Sequence, residues 1–304
     1  MIKTLDQMVS RVAETGKRFR VAVAWAQDPN TLGALNRAAR AGFVNGILLG
    51  KKDIIITECS KLGIDAGEFE IIDVPGEDEA SLMAVEMVRS GNADILMKGL
   101  VGTDKFLKAV IDRDRGLMIS GAVMSYVCAV QVQEYPKLLF VTDTAVLPYP
   151  DLNQKVAMVN AAIDMAMRFG IDKPKVALIG ASEKMSKHFQ NSVDYAVMCK
   201  MAHRGQIKNC IMDGPLDIFL ACDPGSAKIK GVETPVNGEA DILLFPSLES
   251  SNPFYKGLML FGKGELAGIL TGTVKPVVMM SRSESENSKF YCIALSCLMA
   301  DIKN

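Results

Sequence analysis

Four short apolar runs recur in the first third of the chain, at residues 21–25, 46–49, 71–74 and 94–97, with starts about 24 residues apart. That interval holds one strand, one helix and two turns, so the rhythm predicts βα units and a largely parallel sheet. The stretches between the runs have helical periodicity. Leu32, Leu35, Ala39 and Phe43 fall on one face of a helix expected over 30–41, and 80–88 and 103–111 are expected as helices too. A second series follows, with strands expected at 138–141, 176–179, 210–212, 242–245 and 277–280. Its helices are expected at 151–169, with Val156, Val159, Ile163 and Met167 inward, and at 189–202 and 288–301. A chain of 304 residues is long enough for two such domains. No Pro/Gly/Ser-rich linker divides them, and the change of pattern around 130–136 is the only boundary signal.

Charge and cysteine usage narrow the class. Lys plus Arg number 34 against 35 for Asp plus Glu, a balance that disfavours a dedicated nucleic-acid binder. No apolar run reaches about 18 residues, so no membrane helix is expected. Residues 1–20 carry charges throughout and do not read as a signal peptide, so a cytoplasmic location is expected. The seven cysteines are scattered with no C-x-x-C, which fits free thiols. The two histidines, His188 and His203, cluster with no cysteine, so no metal site is expected. They also make no serine–histidine–aspartate arrangement, and direct transfer is preferred to a covalent enzyme intermediate.

Polar residues collect at predicted strand ends, where parallel sheets bind ligands. Lys98-Gly-Leu-Val-Gly-Thr103 leaves one strand for a helix. Gly99 and Gly102 allow a close backbone approach to an anion, Lys98 adds charge, and Thr103 is a candidate helix cap. An ordinary βα turn is the plainer reading. Thr142-Asp143-Thr144 ends another strand, Asp213-Gly-Pro reads as a tight turn after a third, and 249–252, ending in Asn252, follows Phe245-Pro246. Gly262-Lys-Gly-Glu-Leu-Ala-Gly268 has the wrong spacing for a nucleotide loop and reads as a turn. Ser281-Arg282 follows the last strand. A hydroxyl and a guanidinium there suit an acyl phosphate, the one donating to an oxyanion and the other forking onto phosphate oxygens. Local chemistry leaves a second reading open, a Ser-Arg turn in which Ser281, Ser283 or Ser285 caps the closing helix.

Several of these segments, in this order, resemble the phosphate acetyl/butyryltransferases. They are Lys98-Gly-Leu-Val-Gly-Thr103, Thr142-Asp143, Pro150-Asp-Leu-Asn-Gln-Lys155, Asp213-Gly-Pro-Leu216, Ser226-Ala-Lys-Ile-Lys-Gly231, Gly238-Glu-Ala-Asp-Ile-Leu-Leu-Phe-Pro246, Tyr255-Lys256 and Pro276-Val-Val-Met-Met-Ser-Arg-Ser-Glu-Ser285. The resemblance spans about residues 90–300, and Pro150 to Lys155 with Asp213 to Leu216 is nearer the butyryl branch.

The resemblance implies two α/β/α domains flanking a cleft, in an isocitrate/isopropylmalate dehydrogenase-like fold. Residues 1–130 with 268–304 would form the first domain and 131–267 the second. It implies reversible exchange of acyl-CoA plus phosphate with acyl phosphate plus CoA, by direct thiolate attack on the acyl phosphate. Coenzyme A is then substrate and product, no cofactor is tightly bound, and neither nucleic acid nor membrane is a partner. A homodimer or larger homo-oligomer is expected. Ser281 and Arg282 would be catalytic. Lys98, Gly99, Thr103, Thr142, Asp143, Asn252 and Lys256 are the substrate-binding candidates. The acetyl branch carries a carboxylate seven residues after the serine, where this chain has Ser288, preceded by Asn287. Glu286 or Glu284 is the candidate substitute base, and both also suit a solvated helix start. Ser125-Tyr126-Val127 stands where many butyryl-branch chains have Ser-His-Val, and Met118, Ile119 and Ala122 replace basic residues common just before it. Phosphate acetyltransferase is the nearest alternative. A metal- and NAD-dependent dehydrogenase lacks its aspartates and nucleotide loop here, and a non-catalytic acyl-CoA or acyl phosphate sensor has only Ser288 in its support.

Overall fold

The computed structural model describes residues 1–281 and 284–300. The chain separates into two compact units: Leu5–Ala122 with the chain from Ala267 onward, and Met1–Thr4 with Val123–Leu266.

The interrupted unit opens with α1 (Leu5–Ala13) and then runs β1 (Phe19–Ala24), α2 (Pro29–Arg40), β2 (Val44–Gly50), α3 (Lys52–Lys61), β3 (Glu70–Asp73), α4 (Glu77–Arg89), β4 (Ile95–Lys98) and α5 (Thr103–Val110). Residues 21–24 of β1 and all of β4 are buried. Strands covered by helices on both faces need such continuous apolar runs, which is why these two were visible in the sequence.

The continuous unit begins with β5 (Ser125–Gln131) and β6 (Leu139–Thr142), followed by α6 (Leu152–Arg168), β7 (Lys175–Ile179), α7 (Gln190–His203), β8 (Ile211–Leu216), α8 (Ile218–Cys222), α9 (Pro224–Lys230), β9 (Ile242–Leu244) and α10 (Leu248–Phe261). Its strands lie in the order β5-β6-β9-β7-β8. The β5–β6 pair is antiparallel and the remaining pairs are parallel. Asp151 starts α6 with a capping box, its carboxylate taking the Gln154 N–H while the Gln154 side chain accepts from the Asp151 N–H. The buried face of α6 runs through Met158, Val159, Ala162, Ile163 and Ala166. It includes the expected Val159 and Ile163 but leaves Val156 half-buried and Met167 exposed.

The chain then returns through β10 (Glu265–Thr271), β11 (Val277–Val278) and α11 (Glu286–Ala300). In the interrupted unit the strand order is β3-β2-β1-β4-β11-β10. Every pair is parallel except β10–β11. Residues 288–297 of α11 are all buried. A helix apolar all round belongs inside a core, and this one packs against α1, α2 and β11.

Three expectations need correction. Asp213-Gly-Pro-Leu216 is no turn but the second half of β8. A Cβ on Gly214 would lie 2.5 Å from the Leu178 Cβ, so the glycine serves close strand packing. β5 and β10 were not anticipated, and Gly264 to Gly268, read as part of a turn, largely enters β10. There the Gly268 N–H donates to Cys292 Sγ at 3.1 Å, close to a core helix. Thr103 is the first residue of α5, and the capping position belongs to Gly102.

Candidate active site

In the interrupted unit the carboxyl ends of β1, β4 and β11 lie side by side. Ala24 is opposite Lys98 and Val278 is opposite Met97, so Ser281 leaves the sheet three residues beyond the point where β11 meets β4. Lys98 is 2% exposed and its Nζ donates to the Gly99 carbonyl at 3.3 Å. Gly99 donates to the Ala24 carbonyl at 2.9 Å. A Cβ there would run into the Ala24 and Trp25 carbonyl oxygens, so β1 itself demands the glycine. The next amide, of Leu100, donates to Trp25 O at 2.8 Å.

The start of α5 was expected to welcome an anion, and it holds one from its own chain. Glu77, at the first position of α4, accepts from the Gly102 N–H at 3.2 Å and from Lys105 Nζ at 2.5 Å. Asp78 sits 3.1 Å from the same ammonium, and the two carboxylates, Glu77 first, raise the Lys105 pKa. Thr103 is exposed beside this arrangement.

Ser281 is exposed, and its carbonyl accepts from the Glu284 N–H at 3.2 Å. Arg282 lies outside the described residues. The cap of α11 is supplied by Ser285, whose Oγ accepts from the Ser288 N–H at 3.0 Å and donates to Ser288 Oγ at 3.2 Å. Of the two described serines that could cap α11, Ser285 does so, and Ser281 stands upstream of the helix. Ser288, at the position of the acetyl branch's carboxylate, is buried and belongs to this cap. Glu286 opens α11 with its carboxylate against buried Gly33 of α2.

The start of α11 is clasped by α2. Arg37 donates to Asn287 Oδ1 at 2.7 Å and stacks its guanidinium 3.8 Å over the Phe290 ring. Asn30 donates to the Glu284 carbonyl at 3.3 Å. Beneath this, Lys289 meets the Asp28 carboxylate and donates to Thr31 Oγ1 at 3.2 Å, while Thr31 donates to Asp28. All three are buried. The sequence pattern does not reveal this cluster. Its one visible signal is a lysine set against the apolar run of the closing helix, with nothing to name a partner at residue 28.

In the continuous unit, Thr142, Asp143 and Asn252 come together at the carboxyl end of β6. Thr142 Oγ1 donates to the Tyr126 carbonyl at 3.1 Å. Asp143 is buried and accepts from the N–H groups of Ala145, Val146 and Leu147 at 2.8, 3.0 and 3.1 Å. Burial raises the Asp143 pKa, and these donors pull against the shift. Ser251 donates to the Asp143 carbonyl, and Asn252 Nδ2 donates to the Thr144 carbonyl at 2.9 Å. Asp143 and Asn252 therefore shape the strand-end loop with the groups expected to meet substrate. Lys256 is exposed one turn further along α10, on the face of Asn252. Among the described residues, no group of three or more His, Cys, Asp or Glu is placed to hold a metal ion. No helix among them is long and apolar enough to cross a membrane.

Parallel strands ending in polar loops, in both units, define an α/β protein of the kind whose ligand sites are built at strand ends. The profile described as Phosphate acetyl/butaryl transferase matches residues 76–297, and the chain belongs to that family. It is 40% identical over 303 residues to a phosphate butyryltransferase of Clostridium acetobutylicum, covering 100% of each chain. It is 37% identical to a phosphate acetyltransferase of Thermotoga maritima, covering 97% of this chain and 99% of that one. The crystal structure of a branched-chain phosphotransacylase from Enterococcus faecalis V583 superposes with a TM-score of 0.82 at 26% identity, covering 93% and 99%.

Proposed function

We propose that this chain is a phosphate butyryltransferase, interconverting a short-chain acyl-CoA plus phosphate with the acyl phosphate plus CoA. The observation that carries the reading is the end-to-end 40% identity to the Clostridium acetobutylicum enzyme. In the direction of thioester synthesis, the CoA thiol loses its proton and the thiolate adds to the carbonyl carbon of the acyl phosphate. The tetrahedral oxyanion collapses, the bond from carbon to the bridging oxygen breaks, and phosphate leaves with that electron pair. Ser281 donates to the oxyanion, and Arg282 and Lys98 balance the phosphate charge. Glu286 is the base we assign to the thiol. Its place at a helix start next to Ser281's loop supports the choice, and Ser288 supplies no alternative. Gly99, Thr103, Thr142, Asp143, Asn252 and Lys256 line or shape the substrate path in this reading. Most of the rate comes from positioning and charge stabilisation.

The same reading takes the two domains to be 1–130 with 268–304, and 131–267, in a fold like that of isocitrate and isopropylmalate dehydrogenases. It takes the protein to be a cytoplasmic homo-oligomer that uses CoA as substrate and binds no cofactor tightly. Acetyl transfer is the second reading, favoured by the 37% identity to the Thermotoga maritima enzyme. The deciding experiment is phosphate-dependent release of CoA from acetyl-, propionyl-, butyryl- and isobutyryl-CoA. Butyryl-CoA is expected to give the highest kcat/KM. Release from none of the four, with CoA still bound, would replace the enzyme by an acyl-CoA sensor.

A further inference from the structure

The continuous unit contains a pocket of about 460 Å³ that none of the residues discussed above for transfer lines. It opens among the loops that follow β6 and β9 and the start of α7, and its volume is in the range of small-ligand sites. Its floor carries a buried ion pair. Lys155 of α6, 2% exposed, donates to Asp194 Oδ2 of α7 at 2.6 Å, and Gln190 Nε2 donates to Asp194 Oδ1 at 3.1 Å. A pair whose only task was to tie α6 to α7 gains little over apolar packing, because both charges must be desolvated. Here the pair forms the wall of an open pocket, and an ammonium with three donors has spent one on Asp194.

The wall chemistry selects the ligand. The carboxylates of Asp151 and Asp194 line the pocket with the single Lys155 ammonium, itself paired to Asp194, which disfavours a phosphate. A carboxylate acceptor and an ammonium donor lie side by side, which fits a planar heterocycle presenting an amino donor next to a ring-nitrogen acceptor. Tyr149, Pro150 and Pro246 supply flat apolar surface for such a ring. We infer that this pocket takes an adenine ring, with the amino group on Asp194 or Asp151 and a ring nitrogen on Lys155. The ring is the one at the nucleotide end of CoA, an assignment that rests on the transferase reading above.

The test uses the full chain and two thiol acceptors of acyl phosphate: CoA and pantetheine, which has the thiol arm without the nucleotide. Asn191, at the pocket wall, is replaced by tryptophan to fill the space. The Lys155→Met/Asp194→Leu double variant removes the polar floor while leaving no unpaired charge. Each is expected to lower the ratio of kcat/KM for CoA to that for pantetheine about tenfold, the size of losing one good polar or stacking contact. Adenosine is expected to compete with CoA in the wild type and to lose that competition in Asn191→Trp. A ratio unchanged in a folded Asn191→Trp variant overturns the inference, as does adenosine binding that leaves CoA affinity untouched, which marks a separate nucleotide site. Absence of turnover with either thiol in the wild type overturns the transferase reading instead. Adenosine binding lost in Asn191→Trp would then still separate the pocket from that failure.

Discussion

Lys289 and Asp28 form a buried ion pair across a sequence separation of 261 residues, with Thr31 bridging them. The pair fastens the closing helix, which follows Ser281 in the chain, to the start of α2. Removing one partner leaves the other charged and buried. Lys289→Met is therefore expected to cost about 3–5 kcal/mol of stability. The double variant Lys289→Met/Asp28→Leu should recover most of it, which urea unfolding of the four members of the cycle will check.

In the proposed reaction Ser281 and Arg282 act on charge that develops only during transfer. Ser281→Ala and Arg282→Ala should each lower kcat about a hundredfold or more while KM for CoA changes little. Steady-state assay of CoA release measures both. Near-normal turnover in either variant would take that residue out of the chemistry.

Asp143 gives a pH signature. Burial raises its folded pKa above the ordinary value of 3.8, so the folded state holds a proton that the unfolded state has released. The contribution is full below pH 3.8 and is lost as pH rises through the higher folded value. Across that acidic window the unfolding free energy of the wild type should fall with pH relative to that of Asp143→Asn. A parallel pair of curves would show that the three N–H donors cancel the burial.

Two partly buried thiols should resist alkylation. Burial, then the Asp213 charge, pushes Cys199 up to about 12. Burial pushes Cys222 up to about 11 against the opposing Tyr135 hydrogen bond. Only the thiolate reacts, so at pH 8 both should label with iodoacetamide at least about a hundredfold more slowly than an ordinary cysteine. Peptide mass spectrometry over time resolves each site.

Gly99→Ala tests the β1 contact. The new methyl meets two backbone oxygens that cannot rotate away, and a loss of about 1–3 kcal/mol is expected by thermal or urea unfolding.

The parts of the fold that the sequence displayed are those whose cause is local. β1 and β4 are covered on both faces and so are written as unbroken apolar runs. The helix starting at Leu152 is announced by Asp151 and Gln154, three residues apart. What escaped depends on neighbours distant in sequence. Gly214 looked like a turn because its reason, the flank of Leu178, lies on another strand. The need for glycine at 99 comes from the Ala24 and Trp25 carbonyls, which no local pattern displays. The α5 start looked vacant for phosphate because nothing near Thr103 reveals that Glu77 reaches it. For the same reason Ser281 stood level with Ser285 as a cap until the Ser288 amide chose between them, and the inward face of α6 was read correctly at Val159 and Ile163 but not at Val156 and Met167.

β11 pairs with β4 through Val278 and Met97, although the whole continuous unit is encoded between them. On the ribosome, β4 therefore emerges long before the strand that covers its flank. Until then it presents a row of unsatisfied amides and carbonyls, the kind of edge that recruits foreign strands. The loop bearing Ser281 is made only as this vigil ends, so it is reached when the sheet that supports it is ready to close.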